Sequence, residues 1–107
     1  MTYKVHMMAS AEDDLFHLHK YVSVSDSPGA AEKLITTLEK LCAGLNEVPE
    51  RGHITPELKA LNVDDFREIH YHAYRIIYQV KGGEVFIYAI LDGRRNIQSQ
   101  LHERLIR

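Results

Sequence analysis

A single cysteine, Cys42, in a chain of 107 residues excludes an internal disulfide. It sits among Leu38, Leu41 and Leu45 at helical spacing, which reads as a packed core thiol rather than a reactive one. No apolar run approaches the ~18 residues needed to span a membrane. The opening MTYKVHMMAS has too short an apolar stretch for a secretory leader, so a cytoplasmic location is the expectation. There is no internal repeat, no low-complexity segment and no linker long enough to separate domains. Residues 1–107 are therefore expected to form one domain, large enough for a modest core without staples. Metal motifs are also missing. The seven histidines show neither HExxH nor a Cys/His spacing. His17 and His19 face different directions on a helix, while His70 and His72 are expected on one strand face. No metal and no cofactor is expected.

Net charge is small, −2, but it is unevenly spread. Residues 1–65 carry six Lys/Arg against eleven Asp/Glu, whereas residues 66–107 carry seven against four. Such a division fits two solvated faces, and it equally fits an anionic partner docking on the C-terminal half.

Hydrophobic periodicity outlines the N-terminal half. Tyr3 to Met8 reads as a short strand. Ser10-Ala-Glu-Asp13 reads as a helix start, with Ser10 as cap and acidic residues at the positive end of the helix dipole. Leu15, Phe16, Leu18 and Val22 form the apolar stripe of that helix. Ser27-Pro28 opens a second helix, serine capping and proline in the first turn. Its stripe is Ala31, Leu34, Ile35, Leu38, Leu41, Leu45 and Val48, and Pro49 ends it. The short connection 23–27 predicts an antiparallel helical hairpin. Residues 49–65 read as a surface loop with one helical turn at Glu57–Leu61. At the other end, Ile97, Leu101 and Leu105 at four-residue spacing predict a short C-terminal helix.

The stretch from Phe66 to Arg95, FREIHYHAYRIIYQVKGGEVFIYAILDGRR, holds most of the information. Tyr74, Ile76, Tyr78 and Val80 alternate with Arg75, Ile77 and Gln79, the period of a strand. Lys81-Gly82-Gly83-Glu84 supplies hairpin turn chemistry. Val85 to Leu91 is apolar on both faces, as expected of a strand covered on both sides. Asp92-Gly93-Arg94-Arg95 follows at once. The succession of YRIIYQV, hairpin, apolar strand and GRR in a short chain closely resembles the RelE/ParE family of small bacterial toxins. That resemblance implies an α+β fold in which an N-terminal strand and a helical hairpin pack on a mostly antiparallel sheet, with a short C-terminal helix.

The same resemblance implies a toxin of a type II toxin–antitoxin module, held in a hetero-oligomer by a cognate antitoxin. Three arginines are candidates for target binding. Arg75 lies inside a strand and needs a carboxylate, a carbonyl or a ligand phosphate as partner. An ion pair with Glu68 on a neighbouring strand is the bland alternative. Arg94 and Arg95 follow a strand end, where a rigid sheet positions functional groups. In RelE-type enzymes the arginine matching Arg95 stabilises the scissile phosphate, and the one matching Arg75 contacts RNA. Cleavage also needs a base and an acid. The tyrosine important to cleavage in those enzymes is replaced here by Leu101, leaving His70 or His102 as substitutes. A low pI, about 6.4, weakens attraction to RNA. These departures resemble the ParE branch, which implies DNA gyrase as the target. Ribosome-dependent mRNA cleavage is the alternative, and an inactive toxin-fold binding module is a third reading. Leu101 and Leu105 are expected to form an exposed apolar strip that receives the antitoxin.

Overall fold

The computed structural model describes residues 2–105. Strand β1 (Lys4–Met7) leads into helices α1 (Ala9–Ser25) and α2 (Pro28–Ala43). After these come β2 (His53–Ile54), α3 (Pro56–Lys59), β3 (Arg67–Tyr71), β4 (Tyr74–Lys81), β5 (Glu84–Asp92) and α4 (Ile97–Leu105). The five strands form one sheet in the order β1-β5-β4-β3-β2. β1 runs parallel to β5, and every other pairing is antiparallel. The α+β architecture expected from the sequence is the one observed.

Local chemistry accounts for most boundaries. Ser27 caps α2 by accepting from Ala30 N at 3.0 Å, with Pro28 in the first turn. The β4–β5 hairpin closes through Gly82 and Gly83, both at positive φ (54° and 81°), a turn that only glycine adopts without strain. Ser10 does not cap α1. The helix starts one residue earlier, and Ser10 Oγ donates instead to Tyr88 O at 2.7 Å. α2 stops at Ala43 and continues only as a tight turn at Gly44–Asn46, so Val48 leaves the stripe and is exposed. Phe16 is likewise exposed, at 66%. The expected loop 49–65 contains β2 and α3, and Leu58 of α3 is buried.

Both faces of the sheet are covered. On one, α1 and α2 pack Ala11, Leu15, Leu38, Cys42 and Leu45 against Ile76, Tyr78, Val85, Ile87 and Ile90. On the other, α3 and α4 bring Leu58, Ile97 and Leu101 onto Phe66, Ile77, Ala89 and Leu91. β5 serves both cores by alternation, and a register shift decides which residues face which. Ile77 pairs with Ala89 but Tyr78 pairs with Ile87, leaving Tyr88 as an extra residue. The extra residue flips the parity of the strand, so Val85, Ile87 and Ile90 face the helical hairpin while Ala89 and Leu91 face α4. The bulge carbonyl, Tyr88 O, accepts from Ser10 Oγ and from Arg104 Nη2 at 3.0 Å. Arg104 also forms a two-pronged pair with Asp14 at 3.0 Å on each arm, and Asp14 accepts from Ile90 N at 2.9 Å. One irregularity in β5 thus joins α1, the sheet and α4.

This packing corrects the expected antitoxin strip. Leu101 has no exposed surface and Leu105 is half-buried, both against the second core. A helix stripe with period four marks an apolar face, and here the sheet takes that face.

Candidate functional site

Two clefts flank the C-terminal end of β5, and the turn after it belongs to both. Gly93 makes the turn possible. Its N–H donates to Ala73 O at 2.6 Å, and a Cβ there would lie 2.8 Å from that oxygen and 3.0 Å from Cδ of Arg75. Asp92 folds Arg94 back on itself. Its carboxylate accepts from Arg94 N (3.0 Å), Nε (2.9 Å) and Nη2 (2.7 Å). These bonds hold the Asp92 carboxyl below the usual carboxylate range despite its partial desolvation. Arg94 remains 70% exposed, and Arg95 is exposed with no side-chain ion pair among the described residues. The first cleft, about 350 Å³, places both arginines beside His17 and Tyr21 of α1, Tyr74 of β4 and Gln100 of α4. Tyr21 is 60% exposed. The result is a solvent-facing surface of guanidinium and aromatic groups.

The second cleft, about 380 Å³, lies on the α3 side and is lined by His53, Glu68, His70, His72, Arg75 and Arg94 among others. Strand register assembles it. His53 of β2 stands directly opposite Glu68 of β3. His70 lies two residues farther along the same face, and Arg75 of β4 stands opposite His70. Four of the five N–H donors of Arg75 are engaged. Nη1 and Nη2 donate to the two oxygens of Glu57 at 2.7 and 2.6 Å, while Nε and Nη2 donate to Glu68 at 2.9 and 2.5 Å. The Glu57 bonds, with Glu68 adding to them, raise the guanidinium's proton affinity still further. The ion pair with Glu68 is therefore present, and Glu57 is a second partner that the sequence did not point to. Glu57 and Arg75 lie 18 positions apart, and no pattern in the sequence joins them.

The other candidates are dispersed. His70 is half exposed and contacts the buried Glu68 carboxylate. His72 does not share its strand face, because it sits in the β3–β4 turn at φ 53°. His102 lines a different shallow cleft with Leu61, Asn96, Gln98, Ser99 and Glu103. Arg95 belongs to the first cleft and Arg75 to the second. Tyr78 is fully buried, its oxygen accepting from Gly52 N at 2.9 Å, and burial pushes its pKa up. Of the nuclease candidates, His70 and Arg75 therefore share the second cleft, whereas Arg95 lies in the first and His102 in a third.

A parallel edge strand, a helical hairpin and an antiparallel meander make this a small α+β fold. A family model for the ParE toxin of the type II toxin–antitoxin system parDE matches residues 5–97, and the chain belongs to that family. Among solved structures, it is similar to a chain of the chromosomal ParDE system from P. aeruginosa. Identity is 21% and the TM-score 0.70, over 83% of this chain and 94% of that one. It is also similar to a chain of the RelBE2 toxin–antitoxin complex from Mycobacterium tuberculosis. There identity is 17% and the TM-score 0.64, over 86% and 92% of the two chains. A comparison with curated protein sequences returns no match. No helix among the described residues is long and apolar enough to cross a membrane.

Proposed function

We propose that this chain is the toxin of a type II toxin–antitoxin pair acting in the cytoplasm, that it inhibits DNA gyrase, and that Arg94 and Arg95 bind the target. The observation that carries this reading is the dispersal of the nuclease set. Leu101 is buried and cannot transfer a proton, His102 lines a cleft of its own, Arg95 lies in a different cleft from Arg75 and His70, and Arg75 is already held by two carboxylates. A gyrase inhibitor needs only a surface that traps or blocks the enzyme. The exposed pair at the end of β5, beside Tyr21 and Tyr74, is such a surface. Exposed arginines next to aromatic faces suit binding of carboxylates and phosphates.

The cognate antitoxin neutralises the toxin by laying an amphipathic segment over an apolar groove. The half-buried or exposed Met7, Phe16 and Ile35 line a groove of about 400 Å³ between α1, α2 and the edge strand β1. Helix docking and strand addition are both open there, and Leu105 can contribute at a second place. Both similar structures come from toxin–antitoxin systems, which supports a protein partner of this kind.

The test pairs gyrase supercoiling with primer-extension mapping of mRNA on translating ribosomes, each with and without the purified chain. Supercoiling should be inhibited, and Arg94→Ala with Arg95→Ala should relieve inhibition without changing the melting temperature. Codon-dependent mRNA cuts with untouched supercoiling would replace this reading with the endonuclease. Neither effect would leave a toxin-fold binding module.

A further inference from the structure

We propose that His53, Glu68 and His70 form a binding site for a zinc-class divalent metal ion on the α3 side of the sheet. The three residues come from two strands whose pairing fixes them on one face. One ligand atom from each lies within 4.8 Å of the other two. His53 Nε2 stands 3.6 Å from Glu68 Oε2. Ligands of a tetrahedral zinc ion, at ~2.0–2.1 Å from the metal, stand roughly 3.3–3.5 Å apart. Two imidazoles and a carboxylate are a donor set that zinc prefers. His70 Nε2 now rests against the same Glu68 oxygen and would step back to admit the ion. Its half-exposed side chain is free to do so.

Two further features favour a cation. Glu68 is 1% exposed and already oriented by Arg75, which occupies Oε1 through Nη2 and shares Oε2 through Nε. Such outer-shell bonds are what holds a ligating carboxylate in place. The three residues also line the 380 Å³ cleft, from which water can enter to complete the coordination of an ion. The ion would tie the two-residue strand β2 to β3, a pairing that otherwise rests on a very short ladder. No linear motif announces this site, because its ligands lie 15 and 2 residues apart and meet only through strand register.

The test uses tag-free protein stripped with EDTA and then titrated with Zn²⁺ by calorimetry and with Co²⁺ by visible absorption. One equivalent per chain should bind, the cobalt spectrum should be tetrahedral, and zinc should raise the melting temperature. His53→Ala and His70→Ala change half-exposed to exposed side chains, so circular dichroism should show both folded. Each should weaken Zn²⁺ binding by more than ~100-fold, beyond the 10- to 100-fold typical of losing an outer-shell partner. His102→Ala should bind as the parent does. Absence of saturable one-to-one binding, or binding that survives both substitutions, would overturn the site.

Discussion

Arg75 separates a structural role from a target-binding one. Its side chain is 12% exposed and its partner Glu68 only 1%, so Arg75→Ala leaves a carboxylate buried without a counter-charge. Removing one member of a buried pair typically costs ~3–5 kcal/mol, mostly through the orphaned charge. That is a large share of the ~5–15 kcal/mol that holds a domain of this size. The melting temperature should fall by on the order of 15 °C or more, at roughly 4–8 °C per kcal/mol. Thermal and urea unfolding of the purified variant, in EDTA, give the measurement. Adding Glu68→Gln to Arg75→Ala should recover part of the loss, because the orphan is neutralised; coupling of ~0.5–3 kcal/mol is usual for residues in contact. An Arg75→Ala protein that melts within ~3 °C of the parent would refute this reasoning. If that protein had also lost toxicity, Arg75 would return to the target-binding set.

The other expectations are quicker to state. Leu101→Ala should destabilise the chain by about 2–5 kcal/mol, since the side chain is fully buried; an unchanged denaturation midpoint would show α4 undocked. Cys42 should resist alkylation in the folded protein and react on unfolding, because burial, aided by Glu39, pushes its thiol up to about 12; rapid labelling at neutral pH would contradict this. The Glu57 carboxyl is held below its ordinary 4.5, chiefly by the Arg75 hydrogen bonds. Its stabilisation is full above 4.5 and lost as pH falls through the lower folded value. Glu57→Gln should therefore flatten the acid limb of the stability curve, modestly because Glu57 is 28% exposed; superimposable limbs in EDTA would show that the pair contributes nothing.

What could be read in advance was what repeats along the chain. The α2 stripe from Ala31 to Leu45 and the alternation through β4 are periodic, and both reappear with Leu38 and Ile77 fully buried. Signals failed where a structure depends on one residue or on a distant partner. β2 is two residues long and shows no period, yet its register puts His53 opposite Glu68. The extra residue Tyr88 sits in an unbroken apolar run, so the sequence could not say where β5 changes faces. Leu101 illustrates a third failure. Its spacing with Ile97 and Leu105 identified an apolar face, but an apolar face looks the same whether the sheet or a partner covers it. The same ambiguity bears on Phe16, which was assigned to the core stripe of α1 and is left exposed over the groove beside β1. An antitoxin that covers this toxin should therefore seek the surface that Phe16 leaves open rather than the helix face that Leu101 has already committed to the fold.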